Sequence, residues 1–471
     1  MQTYDVVVIG GGPAAITIAK NLKNKKAAFI RPEDHSMIYC AMPYVIEKVL
    51  PFEKSLKKDK LITDAGGELI RDRVVSVSFE EKTVSTEKGA VYGYEKLIIA
   101  TGADPIVPPL PGTDLKGVLT FKTEQDLTVI NTLVENSLKQ AVVVGAGAIG
   151  VELSQALARM EVKTSLVDMT DQILPNMVDY EMVEEAEEQL IKAGVDLHLK
   201  TKVVGLHGTE VIERVELENG KEIHFDSMDT CSAGEDLTDI RGAVFFAVGM
   251  RPNVDIFKGT ELHIERDGIV VNSKMETNIK DVYAVGDCTQ YTSAVTGEVT
   301  SGKLATNAVP MARLLAKNIN GENREYMGFF NGCATKIEDR YIGGTGLTEK
   351  AAKQYFDVVT GYSEFTTAFP SMRFAKKVQM NLVVDRNTRR VVGGQVVSGE
   401  PVTDKIDVIT MAIQFGIQVD KLVYFSYSSQ PYQSFFPANH LIVQAAERIV
   451  EKLTSEKLPN EKAAGGSIRS A

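Results

Sequence analysis

Short, wholly apolar runs that stop at glycine alternate with stretches of helical period through much of this chain. Val6-Val7-Val8-Ile9 gives way to Gly10-Gly11-Gly12-Pro13-Ala14-Ala15 and then to a helical segment reaching about Lys23. A run without a polar face marks a strand covered on both sides, as in a parallel sheet, so this opening predicts a strand, a tight turn and a helix. The same order recurs. Ala141-Val142-Val143-Val144 leads into Gly145-Ala146-Gly147-Ala148-Ile149-Gly150 and a helix carrying Glu152, and a strand over 164–167 ends at Asp168. Lys96 to Ile99 forms a third buried strand, closed by Ala100-Thr101-Gly102, and a proline-rich stretch over 105–111 leaves it as an extended linker. The pattern changes after about Tyr326. Strand-like runs over 378–384 and 391–397 precede an amphipathic helix over 406–415 and a tyrosine-rich loop over 424–432. The prediction is an α/β chain with two Rossmann-like dinucleotide-binding domains followed by an α+β domain.

Glycine spacing gives these turns a chemical meaning. Gly10, Gly12 and the small Ala15 permit a tight turn and a close approach of pyrophosphate to the helix N-terminus, with Pro13 and Ala14 between them. Gly145, Gly147 and Gly150 do the same in the second copy, with Ile149 before the last. One such motif is weak evidence; two in one chain predict two bound dinucleotides. A carboxylate closing the second strand accepts ribose hydroxyls. Asp168 stands there in the second copy and would repel the extra phosphate of NADP, so NADH is expected over NADPH. In the first copy counting favours Glu33, while the strand over 27–30 ends directly at Arg31. Further on, Gly249 closes the second nucleotide domain, and Gly286-Asp287 ends a strand where a carboxylate can meet a polyol hydroxyl.

Length and charge narrow the class. At 471 residues several domains are expected, and a net charge of −11 argues against a nucleic-acid or anionic-membrane binder. No apolar stretch is long enough for a membrane span and no signal region follows Met1, so a cytoplasmic protein is expected. The four cysteines, Cys40, Cys231, Cys288 and Cys333, show no metal-ligand or Cys-x-x-Cys spacing. Cys40 precedes Pro43 and the apolar run over 45–50, which places it before a helix whose N–H groups favour a thiolate. The competing reading is a buried packing cysteine. Cys288 reads as packing, and Cys231 falls in a polar stretch over 226–235 that reads as an inserted loop.

With both fingerprints, the Ala-Thr-Gly turn and the Gly286-Asp287 pair in this order, the chain resembles the pyridine nucleotide–disulfide oxidoreductase family over nearly its whole length. Ser36 to Tyr44 resembles the single-cysteine branch of coenzyme A–disulfide reductases, NADH oxidases and NADH-dependent persulfide reductases. The glutathione reductase branch carries a second cysteine where this chain has Val45, and its His-Pro motif is missing here. His440, before Leu441, is expected on a helix surface. The resemblance implies FAD in the first site, with Lys122 among the residues near it, NADH in the second, and a homodimer formed by a C-terminal dimerisation domain. It also implies a FAD-binding domain over 1–112 and 252–325, an NAD-binding domain over 113–251 and a dimerisation domain over 326–455, while the Lys-, Glu-, Gly-, Ala- and Ser-rich composition of 456–471 reads as a disordered tail.

In the branch, two C-terminal tyrosines serve the partner's active site. Tyr427-Ser-Ser-Gln-Pro-Tyr432 resembles one of their loops with a residue inserted, making Tyr427 and Tyr432 the candidates, while Phe369 replaces the other tyrosine. Tyr39 stands where an asparagine is usual, and Lys23 and Asn24 represent an arginine pair that meets coenzyme A, so Lys23, Ser36 and Tyr39 are the substrate-side candidates. The reaction implied passes hydride from NADH through FAD to Cys40, which reduces a small disulfide or persulfide such as that of coenzyme A. The alternatives are an NADH oxidase cycling Cys40 through a sulfenic acid, and a non-catalytic flavin electron carrier or redox sensor.

Overall fold

A computed structural model describes residues 1–225 and 240–455. The expected inserted loop with Cys231, and the tail over 456–471, lie outside the described residues. The described residues divide into two compact units, Met1–Ile173 with Glu188–Phe329, and Leu174–Glu187 with 330–455.

In the first unit β1 (Gln2–Ile9) is followed by α1 (Pro13–Asn21) and β2 (Ala27–Arg31), and β1 lies in parallel between β2 and the strand Val91–Ile99. Gly67–Arg71 pairs outside β2, and Val282–Ala284 returns from far along the chain to pair with Val91–Ile99. Val6, Val7 and Val8 have no exposed surface, as a strand covered on both faces requires. A second parallel sheet runs in the order Val118–Leu119, Gly242–Phe246, Gln140–Val144, Lys163–Val167, Val195–His198. Its central strand enters the helix Ala148–Arg159 through the second glycine turn.

The second unit is an antiparallel sheet in the order Cys333–Ile337, Arg340–Gly346, Val391–Ser398, Lys377–Asp385, Val358–Thr366, with the helices Thr403–Gln414 and Leu441–Ser455. Ser363 Oγ donates to the Leu441 carbonyl at 2.8 Å, fixing the last helix to the edge strand. Residues 174–187 belong to this unit although the sequence places them in the middle of the nucleotide-binding part. Buried Asp179 accepts from the Glu349 and Lys350 amides at 2.7 and 3.1 Å, and Gln395 bonds both its carboxylate and its amide. Lys377 pairs with Glu185 at 2.6 Å. Among the described residues no helix is long and apolar enough to cross a membrane.

Three local expectations are corrected. α1 ends at Asn21, the strand expected to stop at Ile30 includes Arg31, and the apolar run after Tyr44 is helical only to Ile46. Lys48 there takes a left-handed φ of 58°, which stops the helix.

Candidate active site

Each glycine turn delivers its chain to a helix N-terminus that no side chain caps. Gly12 is the N-cap of α1 and Gly147 that of Ala148–Arg159, neither with a side-chain cap bond. A methyl group built on either glycine would meet nothing within 4 Å, so both N-termini open onto free space with orphan N–H groups facing it. Uncapped donors, the positive end of the helix dipole and room for close approach suit a pyrophosphate. Gly10 has no alternative to glycine, because its φ is +128° and a Cβ would stand 2.1 Å from the Ala100 carbonyl oxygen. The Thr101-Gly102 turn is held by Asn253, whose amide bonds the Gly102 carbonyl at 2.9 Å while Thr101 Oγ1 donates to the Asn253 carbonyl at 2.6 Å.

Strand register settles which residue closes the second strand of each site. Ile9 pairs with Ile30, and Val144 pairs with Val167, so Arg31 stands opposite Gly10 as Asp168 stands opposite Gly145. Asp168 stands beside the second glycine turn: one carboxylate oxygen accepts the Ala146 amide at 2.6 Å, the other Thr170 N and Oγ1 at 2.7 and 2.6 Å. In the first site the topological place of the acid is taken by a buried arginine. Its side chain packs under Gly11, and it bonds Asp59 at 2.6 Å, sharing that carboxylate with Arg71 at 2.5 Å. Glu33, two residues on, is the exposed carboxylate nearest this position in sequence.

Cys40 is exposed, in a single 3-10 turn Tyr39–Ala41 that runs into α2 (Met42–Ile46), with Pro43 in the first helical turn. Its two aromatic neighbours stand in different electrostatic surroundings. At Tyr39 partial burial, then Glu33, Asp287 and Asp104, push the phenol up to about 12, and the Lys122 ammonium stands 4.7 Å above its ring. Lys122 is itself held below the usual lysine range by burial, against the pull of Asp287 and Asp104. At Tyr44 burial first, and then Glu152, Glu47 and Cys40, raise the phenol. Glu47 joins α2 to the nucleotide-site helix through Arg159 at 2.8 Å.

Upstream of the cysteine, β3 (Ser36–Met37) pairs antiparallel with β4 (Leu56–Lys57), putting Ser36 directly opposite Lys57. Ser36 is buried and its hydroxyl has no hydrogen-bond partner among the described residues. Lys57 is half-buried and close enough to Cys40 to feel its charge. Cys288 is fully buried and its thiol is pushed up by that burial, in keeping with a packing role.

In the second unit the tyrosine-rich loop holds an aromatic cluster. Tyr427 stacks on His440 at 4.1 Å between ring centres and donates its hydroxyl to the Pro437 carbonyl at 2.6 Å. Tyr432 stacks on Phe374 at 5.5 Å and is two-thirds exposed. The expectation of a surface His440 is wrong. The ring is buried among Phe425, Tyr427 and Phe435, and this burial holds it down to about 4. Its Nδ1 accepts the Val443 amide at 3.4 Å, at the start of the helix Leu441–Ser455.

Comparison with known proteins decides the family. Residues 4–312 match the model of the pyridine nucleotide-disulphide oxidoreductases, and residues 334–435 match that family's dimerisation domain. The chain belongs to the pyridine nucleotide-disulphide oxidoreductase family. An NADH oxidase of Methanocaldococcus jannaschii is 30% identical over 96% of this chain and 99% of its own. The NAD(P)H coenzyme A polysulfide/persulfide reductase of Pyrococcus horikoshii is 28% identical over 87% of this chain and 91% of its own. Among solved structures, the NAD-dependent persulfide reductase of A. fulgidus superposes with a TM-score of 0.87 at 26% identity, over 96% of this chain and 84% of that one.

As a pyridine nucleotide-disulphide oxidoreductase the chain is an enzyme that uses FAD and a nicotinamide dinucleotide, and both open helix N-termini fit such groups. Sequence reasoning passed over Tyr44, Glu47, Lys57 and Arg159. Tyr44 lies inside the cysteine motif and was within reach; the other three depend on contacts distant in sequence.

Proposed function

We propose that this oxidoreductase carries electrons from NADH to a low-molecular-weight disulfide or persulfide through a single working cysteine, Cys40. One observation carries the reading. The thiol of Cys40 is exposed in the turn Tyr39–Ala41, and the neighbouring Tyr39 ring carries the Lys122 ammonium at 4.7 Å. FAD, when bound in the first cradle, supplies the two-electron relay between nicotinamide and sulfur. Gly10, Gly12, Pro13, Ala14 and Ala15 would hold its pyrophosphate, Thr101, Gly102, Lys122, Gly286 and Asp287 its flavin half, and Arg31 or Glu33 its ribose end. Pro43, in the first turn of α2, would also lie on the FAD side. The NADH site comprises Gly145, Gly147, Ile149, Gly150, Glu152, Asp168 and Gly249.

Cys40 as thiolate attacks the acceptor's S–S bond, forming a mixed disulfide and expelling one thiolate. Lys23, Ser36 and Tyr39 line the acceptor's approach. A homodimer is part of this reading, with Tyr432 of the partner subunit protonating the departing thiolate. Tyr427, its hydroxyl already committed to Pro437, would hold that loop in shape. The domain boundaries expected from the sequence complete the proposal, amended by the segment 174–187. The test is Cys40→Ser: disulfide turnover should vanish while NADH still bleaches the flavin under anaerobic conditions, and undiminished turnover would overturn the reading.

The likeness to the NADH oxidase of M. jannaschii, over nearly the whole of both chains, supports a second reading in which oxygen is the acceptor and Cys40 cycles through a sulfenic acid. Oxygen consumption and thiol release measured side by side at equal NADH separate the two.

A further inference from the structure

The stretch before Cys40 contains polar groups that neither cradle uses. β3 and β4 form a two-stranded ribbon in which Ser36 stands directly across from Lys57. Directly opposed residues of an antiparallel pair project from the same face, so hydroxyl and ammonium share one side of the ribbon. The Ile38 amide bonds the Ser55 carbonyl at 2.8 Å, and the Ala41 amide bonds the Ile38 carbonyl at 2.9 Å, so the ribbon hands its geometry directly to the cysteine turn. One buried polar group here lacks the partner that burial normally demands, and a cation beside it has no counter-charge among the described residues. Ser36 is 5% exposed and its hydroxyl is unpartnered; Lys57 is half-buried, and among the described residues no carboxylate or carbonyl engages its ammonium. Half-buried and without a fixed counter-charge, the Lys57 ammonium is available to an incoming anion. Burial indeed holds Lys57 below the usual lysine range, with Cys40 acting against that shift and Lys20 adding to it. Lys20, near the end of α1, thus brings a second cation to the same place.

Resting on the reading of Cys40 as the working thiol, we propose that Lys57 is a specificity-determining residue of this site. Paired with Ser36, it selects acceptors that carry negative charge within a few bonds of the reacting sulfur. The chemical class is a short anionic sulfur chain, such as an inorganic polysulfide. A nucleotide thiol whose phosphates lie at the far end of a long uncharged arm gains nothing from a cation beside Cys40. A small anion gains a charge-assisted hydrogen bond from Lys57.

The test needs no turnover. In the FAD-loaded enzyme with Cys40 reduced, the rates of Cys40 alkylation by anionic iodoacetate and neutral iodoacetamide are followed by mass spectrometry of the Cys40 peptide. A cation that only made the thiol more nucleophilic would scale both rates together, whereas one that receives anions raises the iodoacetate-to-iodoacetamide ratio. Lys57→Met should lower that ratio roughly tenfold or more, the factor expected for one hydrogen bond to a charged group, and Lys57→Arg should largely retain it. The ratio in the unaltered enzyme should also fall with salt, which keeps the proposal testable if Lys57→Met fails to fold. A ratio unmoved by Lys57→Met, or by salt, overturns it. Reduction of inorganic polysulfide and of an uncharged disulfide gives the parallel measure, and the ratio of their kcat/KM values should drop with Lys57→Met. Failure of the unaltered enzyme to reduce any sulfur compound would remove the disulfide reading itself and leave the alkylation result standing.

Discussion

Replacing Asp168 by Asn removes a charge from the second cradle while keeping the shape of the side chain. At about 5 Å and an effective dielectric of about 20, two unit charges repel by about 3 kcal/mol, a little over a hundredfold in relative affinity. That term acts on a nucleotide with a ribose phosphate and is absent for one without. The substitution has a second cost, since Asp168 accepts from Ala146 N, Thr170 N and Thr170 Oγ1, and an amide cannot accept on both of its ends. Losing part of that set costs roughly 1–3 kcal/mol through the turn, and it weakens both nucleotides alike. The NADPH-to-NADH ratio therefore isolates the charge, whereas either rate alone does not. Anaerobic stopped-flow reduction of the flavin by each nucleotide is the assay, with the ratio expected to move toward NADPH by roughly tenfold to a hundredfold after screening. An unchanged ratio with both rates lowered would mean that Asp168 only builds the turn, and the argument for NADH preference would be lost.

Other outcomes follow from the same geometry. Gly150→Ala puts a Cβ 1.8 Å from the Gly145 carbonyl oxygen, so the helix must shift: half-saturation for NADH should rise at least roughly tenfold while bound flavin is retained, measured by titration of flavin reduction. Asp179→Ala strands the Glu349 and Lys350 amides and the Gln395 side chain, and should cost roughly 2–4 kcal/mol in chemical unfolding of the full chain. His440, held down to about 4 in the fold, takes up a proton in the unfolded chain first. Its burial therefore costs stability progressively as pH falls from about 6.5 to about 4, and His440→Phe should flatten that slope in urea midpoints compared across this window. Tyr432→Phe should slow thiol release and leave flavin reduction by NADH unaltered in a rapid-mixing experiment, while equal slowing of both steps would remove Tyr432 from proton transfer.

Both nucleotide cradles were legible because their signal is local: an apolar strand, glycines at set spacing and a helix, all within a short stretch. The position of Asp168 at the close of its strand was legible for the same reason. Arg31 was ambiguous, since the choice between it and Glu33 turns on strand register, which a count of residues does not supply. Lys57 was invisible because a two-residue strand has no periodicity, and its meaning lies in pairing with Ser36. His440 misled in the opposite sense. A polar residue before an amphipathic helix ordinarily faces water, but here three aromatic rings converge on it from the loop. The strands over 378–384 and 391–397 were readable from their apolar runs, whereas the glycine-rich Arg340–Gly346 carried too little side chain to betray its place between two neighbours.

The excursion of residues 174–187 into the C-terminal unit governs how this polypeptide can be divided and how it can mature. Severing it after Phe329 would leave the latter fragment without the carboxylate that holds Glu349, Lys350 and Gln395, and the former fragment with Val178 and Val183 stripped of their cover. During synthesis those side chains emerge well before the sheet that receives them, and wait in water for it. Neither half is a heritable module on its own, so gene fusions or swaps between relatives should exchange the two pieces together.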